Sequence, residues 1–223
     1  MIKEWPVIEQ PREKLLEQGA ARLSDAELLT IFLGRGVQGQ SAVDVGRKML
    51  NQFTNLRGVL DANVKQCCEV KGVGTVAYCL FQAAQELSRR YMQQTLNRHT
   101  VFANPTVTRD YLSMQLRHKT REVFAVLFLS NQHALISYEE MFFGTINMAS
   151  VYPREIVKRA LELGAAAVIL AHNHPSGIAE PSNADIHITQ QIKKALDLID
   201  IAVLDHCVVG DAEVVSLAER GCL

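Results

Sequence analysis

The stretch "AAAVILAHNHPSG", residues 165–177, decides the fold of the second half of the chain. It begins with a short, uninterrupted apolar run, which is typical of a β-strand that the protein covers on both faces. Such strands belong to sheets with helices packed against them. The run ends in His172 and His174, and a Pro-Ser-Gly turn follows. The stretch therefore predicts a central strand of an α/β domain with two imidazoles at its end.

The segments around this strand predict the rest of an α/β domain over 101–223. "PREIVKRALEL" is a predicted helix with Pro153 at its first position and Gly164 just past its end. We expect another helix at about 183–199, and Thr108, after a break at Pro105, is a candidate cap for a helix "RDYLSMQLR". Further strands are predicted in "EVFAVLFLS", "ALISYEEMFFGTI", "IAVLDHCVV" and "EVVSL".

The first part of the chain, 1–98, has the signals of an all-α domain. Ser24 and Glu27 have the spacing of a helix capping box, and the helix that they open is expected to end at Gly34. Ser41 is the candidate cap of the next helix. The segment "VKGVG" then leads into a longer amphipathic helix. We expect the boundary between the two domains near residue 100.

Composition places the chain among globular proteins of the cytoplasm. It is 48% hydrophobic and 21% charged, with a net charge of −1. Its five cysteines are an odd number without C-x-x-C spacing, which argues against a disulfide framework or a cysteine zinc knuckle. The sequence has no apolar run of the roughly 18 residues that a membrane span needs, and no signal-peptide pattern at its start. We therefore expect a cytoplasmic protein.

The end of the central strand has the residue types of a metal site. Side chains two apart on a strand share a face, so His172 and His174 can hold one ion together. Asp185, in the first turn of the following helix, can supply a third, oxygen ligand. Two imidazoles and a carboxylate, with a fourth position for water, are typical of catalytic Zn²⁺, which lowers the pKa of a coordinated water toward roughly 7. The alternatives are an ordinary surface histidine pair and a capping box formed by Ser182 and Asp185.

The same residues resemble a known motif. The pattern that runs from His172, Asn173 and His174 to Ser182 and Asp185 is similar to the motif of the JAMM (JAB or MPN+) zinc metallopeptidases. Together with "GTI", "YPREIVKRAL" and "VLDHCVVG", it closely resembles the bacterial RadC proteins over nearly the whole chain. The resemblance implies a helix-hairpin-helix domain followed by a JAB/MPN, cytidine-deaminase-like α/β domain with a mixed sheet.

The resemblance also implies roles for individual residues. His172, His174 and Asp185 would be the ligands of one Zn²⁺ ion, and Ser182 would polarise the scissile carbonyl or steady its oxyanion. The family uses a glutamate just before the first core strand as general base, and in "TREVFAVLFL" that residue is Glu122. Glu139 is the reserve candidate, because it is another acid on a predicted strand. The implied activity is hydrolysis of an amide bond in a peptide or protein substrate.

The glycine turn "VKGVG" suggests a second kind of partner. It resembles a helix-hairpin-helix element, in which the turn contacts a nucleic-acid backbone without reading its sequence. Lys71, Gly72, Gly74 and Thr75 would lie near a phosphate, and the flanking valines would pack inward. The simpler alternative is a tight turn between two helices, and such domains also serve contacts between proteins.

Two functions therefore compete at this stage. One is a zinc-dependent peptidase or isopeptidase, and the other is a DNA-binding, repair-associated protein whose metal domain is structural or inactive. An HNH nuclease is disfavoured, because its histidine and asparagine are spread through a ββα unit. We expect His206 and Asp205 to pack or bond locally, with support of a zinc-bound imidazole as the alternative for both, and His187 to be exposed on its helix.

Overall fold

The computed structural model describes residues 5–98, 105–144 and 151–223. The chain divides into two compact units, Met1–Ser88 and Arg89–Leu223. The boundary expected near residue 100 lies outside the described residues. Among the residues that the structure describes, none of the helices combines the length and the apolar character that a bilayer crossing needs.

The first unit is helical throughout its described part, as predicted. Ser24 Oγ accepts the amide of Glu27 while the Glu27 carboxylate accepts the amide of Ser24, which is the predicted capping box. Gly34 follows the end of that helix at a φ of 70°, and Ser41 caps the next helix. The helices are α1 (Pro11–Gln18), α2 (Asp25–Leu33), α3 (Ala42–Gln52), α4 (Leu56–Asp61), α5 (Val64–Glu69) and α6 (Thr75–Arg98), with single 3-10 turns at Val7–Glu9 and Ala20–Arg22. Helix α6 continues past Ser88, so its last residues belong to the second unit.

The second unit is built on a five-stranded mixed sheet with strand order β2-β1-β3-β4-β5. Only β3 and β4 are parallel, and the other neighbours are antiparallel. The strands are β1 (Val123–Leu129), β2 (Leu135–Phe143), β3 (Ala167–Asn173), β4 (Ala202–Val209) and β5 (Val214–Ser216), and the helices are α7 (Pro105–Leu116), α8 (Pro153–Leu163) and α9 (Asn183–Asp197). The last two residues of the strand predicted from "ALISYEEMFFGTI" lie outside the described residues.

Helices cover both faces of the sheet, which explains the apolar run of β3. Alternate side chains of β1 and β3 pack on one face with Tyr111, Leu112 and Leu116 from α7. The other alternate side chains pack with Ile156 from α8 and Ile192 from α9. Every residue of β1 and β3 is buried, so a central strand covered on both faces is confirmed.

Helix α7 begins earlier than the sequence predicted. Pro105 is its first residue rather than a break before it, and Thr108 lies inside the helix, 4% exposed, instead of capping it. Proline suits a first helical position, because the amide that it lacks has no helical partner there. The limits predicted for α8 are confirmed: Pro153 opens it, and Gly164 follows it in the left-handed conformation.

Candidate metal centre

The two histidines at the end of β3 lie on the face that is covered by α8 and α9. His172 is 1% exposed, and its ring stacks nearly parallel to that of Phe124, its partner in register on β1, with 6.2 Å between centroids. His172 Nε2 and His174 Nε2 are 3.0 Å apart. Both rings therefore direct the same nitrogen toward one point, as the spacing of two predicted.

The loop after His174 holds its ring in place. The Gly177 amide donates to the His174 carbonyl at 2.9 Å, which closes the predicted turn. His174 Nδ1 lies 2.7 Å from the Ile178 carbonyl, and a carbonyl oxygen can only accept, so Nδ1 carries a proton. Gly177 has a φ of +83°, and a Cβ there would lie 2.8 Å from Asp211 Oδ2. The turn therefore requires glycine at this position.

Asp185 reaches the histidines from the first turn of α9. Its Oδ2 accepts the amide and the hydroxyl of Ser182, both at 2.7 Å, and the Asp185 amide returns to Ser182 Oγ at 3.2 Å. Its Oδ1 lies 3.3 Å from His172 Nε2. The capping box, which the sequence offered as an alternative to a metal site, is present, and it also orients the carboxylate toward the histidines.

The three donor groups fit a tetrahedral zinc ion. Bonds of about 2.0–2.1 Å at tetrahedral angles place two ligand atoms about 3.3 Å apart. The separations here are 3.0 Å between the two Nε2 atoms, 3.3 Å from Asp185 Oδ1 to His172 Nε2 and 3.6 Å from Asp185 Oδ2 to His174 Nε2. These residues form a three-ligand cluster of the kind that can hold a metal. Two imidazoles and a carboxylate leave a fourth position for water or substrate.

The local charges favour an ionised aspartate. Burial alone would raise the pKa of Asp185, but its contacts with His172, His174 and Ser182 outweigh burial and hold the pKa well below its usual range. Interaction with the Asp185 carboxylate is in turn the main reason that the pKa of His174 is raised. The carboxylate is therefore in the form that binds metal at neutral pH.

Glu122 lies beside this cluster. Glu122 directly precedes β1, in which Phe124 pairs with His172 in the antiparallel register of β1 and β3. Its charge contributes to the raised pKa of His174, and its side chain is half-buried. Glu122, the acid that precedes the first core strand, therefore lies next to the candidate ligand His174.

The reserve candidate, Glu139, has a different partner. On β2 it lies opposite Val126, and its carboxylate accepts Arg159 Nε at 2.9 Å and Nη2 at 2.7 Å. Hydrogen bonds from Arg159 lower the pKa of Glu139. Ser137 Oγ donates to the same carboxylate at 3.1 Å. Glu139 therefore forms an ion pair between β2 and α8.

Asn173, which the sequence treated only as a spacer, connects the strands at the site. Its Oδ1 accepts the Val123 amide at 2.8 Å, and its Nδ2 donates to the carbonyls of Lys119 and Arg121 at 3.3 and 3.1 Å. The side chain is 2% exposed. It binds the segment that carries Glu122 to the strand that carries both histidines.

His206 bonds to its neighbour Asp205 and also reaches the metal site, so the contacts favour the alternative of a supporting role. His206 is fully buried, and its Nε2 lies 2.8 Å from His172 Nδ1. Thr189 of α9, which the sequence did not single out, lies 2.5 Å from His206 Nδ1. The parallel pairing of β3 and β4 brings these rings together across 34 residues of sequence, so no local pattern could have indicated the contact.

Two other polar residues were expected to have ordinary surroundings. Asp205 accepts the amide of its neighbour His206 at 2.7 Å, and it also accepts Ser216 Oγ at 2.7 Å and the Ala218 amide at 3.0 Å, which the sequence did not predict. His187 is exposed on α9, where its ring lies 2.9 Å from the amide nitrogen of Gln191.

The glycine turn of the first unit forms between α5 and α6. Val70 and Val73 are buried, as predicted, and the Val73 amide donates to the Val70 carbonyl at 3.0 Å. Gly72 has a φ of +102°, and a Cβ there would lie 2.9 Å from Val37 Cγ1. The other residues of the expected phosphate contact, Lys71, Gly74 and Thr75, are exposed, and α6 begins at Thr75.

Fold and site together define the second unit as a JAB-type α/β domain with a candidate His-His-Asp metal centre. Residues 102–222 match the family model of the RadC-like JAB domain, and residues 2–79 match that of the UPF0758 N-terminal domain. The chain is 60% identical to a UPF0758 protein of Marinomonas sp. (strain MWYL1), with 99% of this chain and 98% of the relative covered. It is 59% identical to a UPF0758 protein of Cellvibrio japonicus, with 100% and 99% covered. The chain therefore belongs to the UPF0758 family of proteins with a RadC-like JAB domain.

Proposed function

We propose that the second unit is a zinc-dependent amide hydrolase, a peptidase or isopeptidase of the JAMM type. The observation that carries this proposal is the convergence of His172 Nε2, His174 Nε2 and the Asp185 carboxylate on one point, with one ligand atom of each within 4.8 Å of the others. All three come from the end of one strand and the start of the next helix. When bound, Zn²⁺ would act as a Lewis acid toward a carbonyl oxygen and lower the pKa of a coordinated water.

The residues around the cluster suit the remaining steps of amide hydrolysis. Glu122 is the proposed general base, which accepts a proton from the attacking water and passes it to the leaving amine. Ser182 is the proposed donor to the oxyanion. Its hydroxyl donates to Asp185 Oδ2 at 2.7 Å in the structure, so the proposed role requires it to rotate toward the substrate.

Metal analysis tests the first part of the proposal. Purified protein should contain about one zinc per chain, as the ligand set implies. Asp185→Asn should reduce zinc binding strongly, because it replaces an anionic ligand with a neutral amide. His187→Gln is the matched control: it changes an exposed histidine on the same helix and should leave the zinc content unchanged. Equal zinc content in both variants and in the wild type would contradict the assignment.

A pair of glutamate variants tests the general base. The zinc-loaded protein is incubated with a peptide library, and new amino termini are identified by mass spectrometry. Glu122→Gln should lower the cleavage rate by at least about 100-fold, which is the usual contribution of general acid–base catalysis. Glu139→Gln should cleave at nearly the wild-type rate, because the Glu139 carboxylate is paired with Arg159. The reverse result would reassign the base. If neither the zinc-loaded wild type nor the zinc-loaded variants cleave the library, peptide hydrolysis is contradicted.

We also propose contact between the glycine turn and a DNA backbone as a second function of the chain. The exposed Lys71 beside the tight turn at Gly72 and the start of α6 supports it. Lys71→Ala should weaken binding to duplex or branched DNA and lower the slope of log K against log salt by about 0.9. Lys194→Ala, an exposed lysine of the second unit, is the control. DNA affinity without salt dependence would contradict the proposal.

A further inference from the structure

A relay of buried hydrogen bonds, formed by Thr189 and His206, runs from the Asp185 carbonyl to Nδ1 of the His172 ring. Thr189 Oγ1 lies 2.5 Å from the Asp185 carbonyl and 2.5 Å from His206 Nδ1. His206 Nε2 lies 2.8 Å from His172 Nδ1. The side chains of Thr189 and His206 are fully buried. Buried polar groups of this kind need a defined partner for every proton, so the direction of each hydrogen bond can be worked out.

The donor and the acceptor of each hydrogen bond can be assigned by starting from Thr189. A threonine hydroxyl has one hydrogen, and a backbone carbonyl can only accept, so Thr189 donates to the Asp185 carbonyl. Its contact with His206 must then be one in which the hydroxyl oxygen accepts. His206 Nδ1 therefore carries a proton.

The other ring nitrogen of His206, Nε2, must accept the hydrogen bond from His172. If both nitrogens of His206 were protonated, a full positive charge would lie at a fully buried position against a neutral hydroxyl and a neutral imidazole. An isolated buried charge of that kind is too costly to persist. His206 is therefore neutral with a free electron pair on Nε2, and the proton in its contact with His172 belongs to His172 Nδ1.

We infer that Thr189 and His206 are positioning residues that hold His172 in the tautomer that can bind metal. A proton on His172 Nδ1 leaves Nε2, which faces Asp185 Oδ1 and His174 Nε2, as the nitrogen that can coordinate a metal. The inference rests on the proposed metal centre, since it gives His172 Nε2 the role of ligand. Supporting groups usually bond a metal-binding imidazole through a carboxylate, a carbonyl or water, whereas here a second neutral imidazole takes that place.

The relay also connects two of the three candidate ligands. It begins at the backbone carbonyl of Asp185 and ends at the ring of His172. At the far end of the site, the Ile178 carbonyl also fixes a proton on His174 Nδ1. In both rings Nε2 is therefore the nitrogen that faces the Asp185 carboxylate and is left to coordinate a cation.

Nuclear magnetic resonance of the metal-free, full-length protein tests the inference directly. With ¹⁵N in the histidine rings, long-range proton–nitrogen correlation identifies which nitrogen of each ring is protonated. We expect His172 and His206 both to have a protonated Nδ1, and His206 to have an unprotonated Nε2, with scalar coupling across the bond between the two rings. A proton on His206 Nε2, or on both of its nitrogens, would overturn the inference. The experiment needs no metal or substrate, so it is independent of whether the protein hydrolyses amides.

Variants of Thr189 test the consequence for metal binding. Thr189→Val keeps the shape but removes the hydroxyl, so His172 should populate both tautomers and zinc affinity should fall about 10-fold or more. Thr189→Ser keeps the hydroxyl and should restore the wild-type tautomer and affinity. His187→Gln is the control for loss of a histidine on α9. An unchanged His172 tautomer and zinc affinity in Thr189→Val would refute the role of the relay. If Thr189→Val does not fold, the tautomers of the wild type decide the question.

Discussion

Replacing Asn173 with alanine should separate the segment that carries Glu122 from the strand that carries the candidate metal ligands. The substitution removes three hydrogen bonds, one to the Val123 amide and two from the side-chain nitrogen to the carbonyls of Lys119 and Arg121. The two carbonyls lie in partly exposed residues, where water can replace the lost donor. The Val123 amide belongs to a residue that is only 1% exposed, so it is left buried without a partner.

The magnitude follows from these three bonds. A buried group left without its partner costs about 1–3 kcal/mol, and each replaceable bond about 0.5 kcal/mol. We therefore expect the free energy of unfolding of Asn173→Ala to be about 2–4 kcal/mol below that of the wild type. Cleavage should fall more than zinc binding, because the bonds position Glu122 rather than the three ligands.

Urea unfolding, followed by circular dichroism, measures the loss of stability, and hydrogen exchange measures protection of the Val123 amide. Asn183→Ala is the matched control: this asparagine is exposed in the first turn of α9, and its replacement should change the free energy by less than about 0.5 kcal/mol. An Asn173→Ala protein with wild-type stability and an equally protected Val123 amide would refute the reasoning.

Two further predictions concern the surroundings of the site. The pKa of Glu139 is lowered by Arg159, so the stability from this pair should be present above the ordinary glutamate pKa of about 4.3 and disappear as pH falls through the lower folded value. Urea titrations of the wild type and Glu139→Gln should therefore converge at low pH, and a constant difference down to pH 2 would contradict this. Gly177→Ala introduces a Cβ 2.8 Å from Asp211 Oδ2 at a φ of +83°, and calorimetric titration should reveal weaker zinc binding. Gly164→Ala is the control, because Gly164 has a φ of +61° and a Cβ there would meet no atom within 4 Å. It should cost about 1–2 kcal/mol of stability and leave zinc binding unchanged. Equal zinc affinity in the two variants would argue against a role for the loop.

The parts of the site that the sequence predicted depend on neighbours in the chain. The pair at His172 and His174 follows from the period of two in a strand, and the position of Asp185 follows from the capping box at the start of α9. One prediction made from neighbouring residues was wrong, and it concerned Pro105. Proline interrupts a helix but also suits its first position, and the sequence of the described part of α7 does not distinguish the two cases.

The contacts that the sequence did not predict depend on the pairing of distant segments. His206 reaches His172 only because β4 lies parallel to β3 in a register that pairs Leu170 with His206. Asn173 supports the Glu122 segment only because β1 runs antiparallel to β3. Glu139 pairs with Arg159 only because α8 lies against β2.

By itself, the sequence determined that a covered strand would present two imidazoles and that a carboxylate would follow at the start of a helix. These features arise from backbone geometry over a few residues, which periodicity and capping express directly. Only the tertiary structure decided which side chains orient those ligands and which glutamate lies beside them. Strand register and helix packing bring together residues that are tens of positions apart, and that information is distributed over the whole core rather than contained in any one motif.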